Sequence, residues 1–510
     1  APPPAIENRS GLFVVRPDQP LQTGDTVRVG FELTGSFPKG WSKLSGGMSE
    51  FVLPSGVVLT SFSPSFLPVP GFVDSIGVDS KNRRDAKEYP LDHWQQQVDP
   101  LFGPAWSSDV RLTIEGPASW VLNGCGVEES SELLADGRKR VVWQTEHPVR
   151  FFNIIGGPLE AAPGRQTTIY FDPRTPHNVP TMVRSLDAAR TRYGEWFAAY
   201  PWTNLRVTEF PGLAGYAQGF PGNISFAESI GFLAAPVEDD TASDTFDSAF
   251  YIVAHEAAHQ WWGNIVTPGK GPGGNVISEG LAEFSACMLL HHELSPEQAR
   301  VLRRRWEWTY VNGREPDNER PINRIDGSRP GDTVVTYQRA GIVFWMLRGL
   351  IGEDAMLAGL RDFVDTWRNG VETPEGLDFP LIEDLLESLR PHAPDQEAFD
   401  RFTHDWILGR ALPTLELREA DVQPDGDGYR VTATLANTGT GTADVTVRVE
   451  GKAPADDQPA ASADVTVGIS DDSESPVDLR VSFEPVRLLV DPDVELLHAG
   501  RRRTETPLTP

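Results

Sequence analysis

Hydrophobic and polar residues alternate with a period of two along the first third of the chain. Val27, Val29, Phe31 and Leu33 alternate with polar or small residues, and the same period recurs at 110–114, 140–143 and 167–171. Turns rich in Gly, Pro and Asp separate these runs. Because a period of two is typical of half-buried strands, residues 1–175 are predicted to form an all-β N-terminal domain.

The period then changes to that of a helix. Steps of three and four residues separate a set of apolar positions: Met182, Leu186, Ala189, Tyr193 and Phe197. Ser295 followed by Pro296 predicts the start of another helix, and the apolar run at 341–350 predicts one that ends at Gly352. We therefore expect a helix-rich domain over residues 176–410.

The period of two returns near the C-terminus. Runs at 429–435, 445–449 and 465–469 alternate in this way, with Asp-Gly and Asn-Thr-Gly turns nearby. Several short strands separated by turns are typical of a β-sandwich, which we predict for residues 411–510. The predicted fold class is multidomain α+β.

Composition supports a folded protein of several domains. At about 150 residues per domain, 510 residues correspond to roughly three domains. The 45 basic and 73 acidic side chains leave a net charge of −28, which repels phosphate backbones and excludes nucleic acid as an expected partner. The acidic excess keeps the protein soluble or favours cationic peptides and metal ions.

No apolar run approaches the roughly 18 to 20 residues that span a bilayer, so no membrane span is predicted in this chain. The sequence begins Ala-Pro-Pro-Pro without an initiator Met. Such a start is expected if a signal peptide or a membrane-attached remainder had been removed, and an engineered start would look the same. We therefore expect an extracytoplasmic location, whether secreted, periplasmic or membrane-tethered.

A candidate metal site lies in the helical segment around His255 and His259. Residues four apart project from one helix face, about 40° apart and roughly 6 Å along the axis, so both imidazoles can reach one zinc ion. Glu256 lies about 100° from His255, where it can act as a general base rather than as a ligand. Glu279, twenty residues beyond His259 on a second predicted helix, is the candidate third ligand.

Two histidines and one carboxylate leave the fourth position of a tetrahedral zinc to water, which is typical of a catalytic site. Zinc lowers the pKa of a bound water to about 7, and Glu256 can take the proton. We expect one zinc ion per chain. Glu283 shares a helix face with Glu279 and either orients a ligand histidine or is an ordinary ion-paired or solvent-facing carboxylate.

Two segments carry a resemblance to a known family: His255-Glu256-x-x-His259-Gln-Trp-Trp-Gly263 and Ser278-Glu279-Gly-Leu-Ala282. They resemble the zinc metallopeptidases related to alanyl aminopeptidase and leukotriene hydrolase. The resemblance implies an N-terminal β domain, a thermolysin-like zinc domain and often a following β-sandwich. It also implies peptide substrates and an oxyanion-stabilising tyrosine, which the local pattern places at Tyr337.

The chain departs from the aminopeptidase pattern in two ways. Nineteen residues separate His259 from Glu279, where the family usually has eighteen; this is similar to peptidase-like domains associated with bacterial transporter permeases. The Gly-x-Met-Glu-Asn segment, whose Glu grips the substrate amine, is also missing. Gly219 takes the place of that Glu, Gln218 is a weak candidate amine contact, and Glu228 is either a replacement anchor or a structural carboxylate.

The resulting functional prediction is a zinc metallopeptidase, aminopeptidase-like but with altered recognition of the substrate amine. The alternative is an extracytoplasmic peptide-binding or sensing domain of a transporter-associated protein, with little or no turnover. Intact Glu256 and Tyr337 favour the enzyme, whereas the missing amine clamp favours the alternative.

Overall fold

The computed structural model of the chain combines β-sheets at both ends with a helical centre. It describes nine stretches: residues 5–9, 12–16, 19–35, 50–61, 66–68, 88–212, 215–235, 245–453 and 460–508. This mixed α+β arrangement confirms the predicted fold class. In the described part of the chain, no helix combines the length and the hydropathy needed to cross a bilayer.

The N-terminal region contains eleven strands in the stretches described: β1 (Ala5–Arg9), β2 (Leu12–Arg16), β3 (Phe51–Leu53), β4 (Gly56–Thr60), β5 (Arg111–Pro117), β6 (Val121–Gly124), β7 (Val127–Leu133), β8 (Arg138–Gln144), β9 (Asn153–Gly157), β10 (Glu160–Pro163) and β11 (Thr167–Phe171). Strands β1 and β2 pair with each other, β3-β4-β9-β6 form a four-stranded sheet, and β5-β8-β7 form a three-stranded sheet. The strands predicted around 110–114, 140–143 and 167–171 correspond to β5, β8 and β11.

The prediction of a strand at residues 27–33 is wrong. Residues 19–35 form no strand, and the side chains of Val27, Val29, Phe31 and Leu33 are between 50% and 57% exposed. An alternating pattern shows which side of a strand would be buried, but a strand also needs a partner for its backbone groups. No described strand supplies one here.

A five-stranded sheet forms the base of the central region. Its order is β10-β11-β12-β14-β13, with β12 at Leu205–Phe210, β13 at Ala217–Phe220 and β14 at Asn223–Ala227. Every residue of β12 and β14 is buried, as expected for inner strands covered on both faces. The sheet crosses the boundary predicted at residue 175, since β11 pairs with β12 from the other side of it. Its two edge strands are β10 and β13.

Nine α-helices lie in the described central region: α1 (Val179–Trp196), α2 (Ser248–Ala258), α3 (Leu281–Glu293), α4 (Pro296–Gly313), α5 (Asp332–Val334), α6 (Ala340–Ile351), α7 (Glu353–Trp367), α8 (Ile382–Leu389) and α9 (Gln396–Trp406). A short hairpin, β15 (Val371–Thr373) with β16 (Gly376–Asp378), follows α7. The Ser295 side chain caps α4 at Gln298 N, and Gly352, at φ 91°, follows α6. Both predicted helix boundaries are present.

The C-terminal region consists of two antiparallel sheets. One contains β17 (Leu415–Asp425), β18 (Gly428–Asn437) and β21 (Ser473–Val481); the other contains β19 (Ala443–Gly451), β20 (Ser462–Ile469), β22 (Pro485–Val490) and β23 (Glu505–Pro507). Their alternate apolar residues, among them Val431, Val447 and Leu479, are buried in the core that extends into the helical region. The two C-terminal sheets therefore pack against the helical region through a shared apolar core.

Candidate metal centre

Helix α2 positions the first two candidate ligands. The Asp247 carboxylate accepts a hydrogen bond of 2.9 Å from the Phe250 amide and so caps the helix. Apolar side chains on the rest of its surface are buried, including Phe250 and Val253. His255 lies in the last turn and His259 is the residue that ends the helix, still in helical conformation. Their four-residue spacing brings both imidazoles to the same side.

The three predicted ligands meet at one point. The Nε2 atoms of His255 and His259 lie 3.3 Å and 3.5 Å from the same oxygen of Glu279. One ligand atom from each residue lies within 4.8 Å of the other two. Two imidazoles and a carboxylate at this spacing fit a zinc ion that keeps an open fourth position.

The acidic and basic groups of the cluster shift one another's pKa values. Burial disfavours protonation of His255 and His259, but the neighbouring carboxylates outweigh it and raise the pKa of both imidazoles: Glu279 beside both histidines, and Glu283 beside His255. Burial would likewise raise the pKa of Glu279, but the histidines hold it well below its usual range. The shifts show a close group of mutually interacting carboxylates and imidazoles, and strongly perturbed groups of this kind are concentrated at functional sites.

Glu279 and Tyr337 both lie on π-helical turns. Glu279 belongs to the turn Val276–Gly280 ahead of α3, and Tyr337 belongs to the turn Val335–Arg339 ahead of α6. The widened turn is uncommon and recurs at functional sites in proteins. The sequence places both residues near helix starts but has no periodic signal for a single widened turn.

Groups behind the ligands orient the imidazoles. Nδ1 of His259 lies 3.1 Å from the Trp262 carbonyl and 3.3 Å from the Ser278 hydroxyl. A proton on Nδ1 can be donated to that carbonyl, which leaves Nε2 free to bind a metal. Sequence reasoning missed the Trp262 carbonyl, since backbone groups carry no residue-type signal, and also missed Ser278, which directly precedes Glu279.

His255 has a carboxylate behind it. Oε2 of Glu283 lies 3.8 Å from Nδ1 of His255, and the same oxygen accepts a hydrogen bond from the Tyr251 hydroxyl. Glu283 is buried, so it is not a solvent-facing carboxylate. This placement supports the reading in which Glu283 orients a ligand histidine. Tyr251, one helical turn before His255, is a further residue that the motif does not mark.

Glu256 and Tyr337 face the same cluster. Glu256 is 8% exposed, and its Oε2 has no hydrogen-bond partner among the described residues. Burial raises the pKa of Glu256 above its usual value, although both histidines oppose the shift. The Tyr337 ring lies parallel to His255, with centroids 6.2 Å apart. Burial and the charge of Glu279 raise the pKa of Tyr337, so its hydroxyl keeps its proton and can donate it in a hydrogen bond.

The edge strand β13 lies directly against α2. Asn264 donates hydrogen bonds of 2.8 Å to the Gly219 carbonyl and 2.9 Å to the His259 carbonyl. Gln260 donates to the Phe220 carbonyl at 2.9 Å and accepts from the Gly222 amide at the same distance. These two side chains fix the distance between the strand and the helix that carries the ligands.

No side chain fits at Gly219. A Cβ atom there would lie 2.8 Å from Cβ of His259 and 2.9 Å from the backbone oxygen of Glu256. Gly219 therefore faces α2 at a distance that only glycine allows. Because alternate residues of a strand point to opposite faces, Gln218 faces away from α2. The structure thus does not bring Gln218 to the candidate ligands.

Glu228 is held on a different part of the sheet. Its carboxylate accepts a hydrogen bond of 3.1 Å from the Gly212 amide, and its backbone amide bonds the Phe210 carbonyl at the end of β12. No contact joins its side chain to the candidate ligands in the described structure. This arrangement supports the structural alternative for Glu228.

Replacing Gly219 by Ala tests the close approach of β13 to α2. The added methyl group must displace the strand or the helix, and we expect it to lower the free energy of unfolding by roughly 1–3 kcal/mol. Thermal unfolding of the variant and the unaltered protein measures the effect. Gly215→Ala is the matched control, because a Cβ there has its nearest neighbour 4.0 Å away. Equal unfolding midpoints for both variants would show that β13 lies farther from α2 than these distances indicate.

Comparisons with known proteins concern the same central region of the chain. Residues 189–393 match the Peptidase family M1 domain, a segment that contains His255, His259, Glu279 and Tyr337. Peptidases of this family are zinc-dependent in general. No curated protein matches the chain.

Among solved structures, the chain is similar to Legionella pneumophila aminopeptidase A, crystallised in complex with aspartic acid. The TM-score is 0.53 at 18% identity, and the match covers 76% of this chain and 44% of that chain. The chain thus spans less than half of the length of that aminopeptidase. These findings confirm the resemblance predicted from the sequence: the chain has an M1 aminopeptidase-like fold.

Proposed function

We propose that the protein is a zinc-dependent peptidase with altered recognition of the substrate amine. The observation that carries the proposal is the meeting of His255, His259 and Glu279 beside Glu256, whose buried oxygen has no hydrogen-bond partner among the described residues. The M1 domain match supports the peptidase class. Neither comparison supports the alternative of a binding or sensing domain without turnover.

Each residue of the site has a task that its position allows. His255, His259 and Glu279 would hold one zinc ion, which when bound supplies Lewis acidity and lowers the pKa of water to about 7. Glu256 accepts the proton of the attacking water and passes it to the leaving amine. Tyr337 donates its hydroxyl hydrogen to the substrate oxygen, where negative charge develops only as the reaction proceeds.

Removing a ligand should weaken metal binding. We expect Glu279→Ala to lower zinc affinity by at least about tenfold, because it removes one of three protein ligands, whose Oε2 lies 3.3 Å and 3.5 Å from the two histidine Nε2 atoms. Zinc competition with a chromophoric chelator measures the affinity. Glu293→Ala, at the far end of α3 and paired with Arg192, is the matched control. Unchanged affinity in Glu279→Ala would place the third ligand elsewhere.

The close approach of β13 also determines which substrates we expect. An amine-binding carboxylate contributes a charge-assisted hydrogen bond of about 1.5–3 kcal/mol and is left unpaired when the amine is blocked. Gly219 offers no carboxylate, and the space above it is filled by α2. The carboxylate that would favour peptides with a free N-terminal amine is therefore missing at this position.

We accordingly expect free and N-acetylated forms of one peptide to differ by less than about tenfold in kcat/KM, since tenfold corresponds to 1.4 kcal/mol. The comparison uses a single zinc-loaded sample at several concentrations of each peptide. Glu256→Gln, assayed in parallel, identifies cleavage that does not come from this site. Strict dependence on the free amine would mean that another acidic side chain has taken over the anchor.

A further inference from the structure

A cavity of about 370 Å³ lies beside the segment that follows α2, and none of the three predicted ligands lines it. Its lining includes residues 147–151 between β8 and β9, residues 201–202 after α1, residues 264–265 after α2 and residues 368–369 after α7, together with Ser107 and Pro221. Asn264 lines this cavity and also donates the hydrogen bonds to the carbonyls of Gly219 in β13 and of His259. The cavity is therefore a separate concave site within the same structural unit.

The polar part of the wall is basic. Arg150, Arg368 and His147 line the cavity, and no Asp or Glu does so among the described residues. Glu146, the adjacent acid in the chain, is engaged by the amide of Thr203 at 2.9 Å and by its hydroxyl. In a protein with a net charge of −28, a wall of this kind is a local exception.

Arg150 is held in place entirely by neutral partners. Its Nε donates to the Thr267 hydroxyl at 3.2 Å, and its Nη2 donates to the Asn369 carbonyl at 2.6 Å. Nη1 donates to the carbonyls of Pro104 and Ala105. Burial lowers the pKa of Arg150 to about 10, so the guanidinium stays charged at neutral pH. A partly buried cation without an acidic partner favours an anionic ligand.

Arg368 supplies a second, more accessible cation. Its side chain is exposed, and no ion pair joins it to an acidic side chain among the described residues. The rest of the wall is largely apolar and includes Phe151, Trp202 and Ile265. A ligand that suits both parts has an anionic head and an apolar body.

We propose that this cavity binds a small organic carboxylate, with the carboxylate toward Arg150 and Arg368 and an apolar group against Phe151 and Trp202. Arg368 can offer a pair of N–H groups that match the two oxygens of a carboxylate. Arg150 already donates to Thr267, Asn369, Pro104 and Ala105, so it contributes its positive charge and at most one further N–H group. The proposal does not depend on peptide hydrolysis. A ligand there would add to the hydrogen bonds by which Arg150 already links the segment between β8 and β9 to Thr267 and to Asn369.

Calorimetric titration of the full-length chain tests the proposal, after chelator treatment so that no metal at the candidate ligands takes up the probe. The probes are N-acetyl-leucine, N-acetyl-leucine amide and inorganic phosphate. We expect N-acetyl-leucine to bind once per chain, at least about tenfold more tightly than the amide and than phosphate. Arg368→Gln should remove this preference for the carboxylate, whereas Arg401→Gln, on the exposed surface of α9, should leave it unchanged.

Three results would overturn the proposal: no binding of N-acetyl-leucine, equal binding of acid and amide, or carboxylate binding that Arg368→Gln leaves unchanged. Phosphate binding as tightly as N-acetyl-leucine would mean an inorganic anion site without selection for an apolar body. Arg368 is chosen for the substitution instead of Arg150, because Arg150 joins several backbone segments and its loss would disturb folding.

Discussion

Glu256→Gln should leave one zinc ion per chain and reduce peptide hydrolysis by roughly 100-fold to 10,000-fold. The amide keeps the shape of the side chain but cannot accept a proton, and general base catalysis contributes about this much. Glu256 is suited to the task because it is buried against both histidines while its Oε2 is unpaired in the described structure. Zinc content by elemental analysis and initial rates on one peptide measure both parts of the expectation.

Glu293→Gln on α3 is the control, because Glu293 lies near Arg192 rather than near the ligands. It should retain both zinc and full activity. If Glu256→Gln hydrolyses peptides at the unaltered rate, Glu256 has no part in the reaction. If it loses zinc instead, its carboxylate is a ligand and the assignment to Glu279 needs revision.

Tyr337→Phe should lower kcat by roughly 100-fold to 1000-fold while KM changes little. Removing one donor to a developing oxyanion typically costs this much, and the loss falls on the transition state rather than on substrate binding. The Tyr337 hydroxyl remains protonated at neutral pH, since burial and Glu279 raise its pKa. Steady-state kinetics with a single peptide separate the two parameters.

Tyr429→Phe, in strand β18 of the C-terminal sheets, controls for the loss of a tyrosine hydroxyl elsewhere. It should have no effect on either parameter. A Tyr337→Phe variant with unchanged kcat and a raised KM would assign Tyr337 to substrate contact or packing.

Much of the fold could be predicted because periodicity reports directly on burial. The runs at 429–435, 445–449 and 465–469 lie in β18, β19 and β20, and Ser295 and Gly352 mark observed helix ends. Each of these signals depends only on residues close together in the chain, and each predicted strand or helix end is present where the signal lies. The pattern at 27–33 is equally regular but forms no strand, because pairing depends on residues elsewhere in the chain.

The candidate site shows the same division. The spacing of His255 and His259 predicts a shared metal from helix geometry alone, and the structure brings Glu279 to both. The π-helical turns, the Trp262 carbonyl behind His259 and the contact of Gly219 with α2 depend on how separate elements pack. A glycine at 219 predicts only the absence of a side chain, whereas the structure shows that a side chain is excluded.

Incubation of zinc-loaded protein with a mixed peptide library, followed by mass spectrometry of the new termini, tests the central claim most directly. We predict new termini with the unaltered protein and their loss with Glu256→Gln at equal zinc content. Cleavage of both free and acetylated library members would agree with the absence of a carboxylate at Gly219. A protein that holds one zinc ion per chain and yields no new termini would contradict the assignment of peptidase activity to this site.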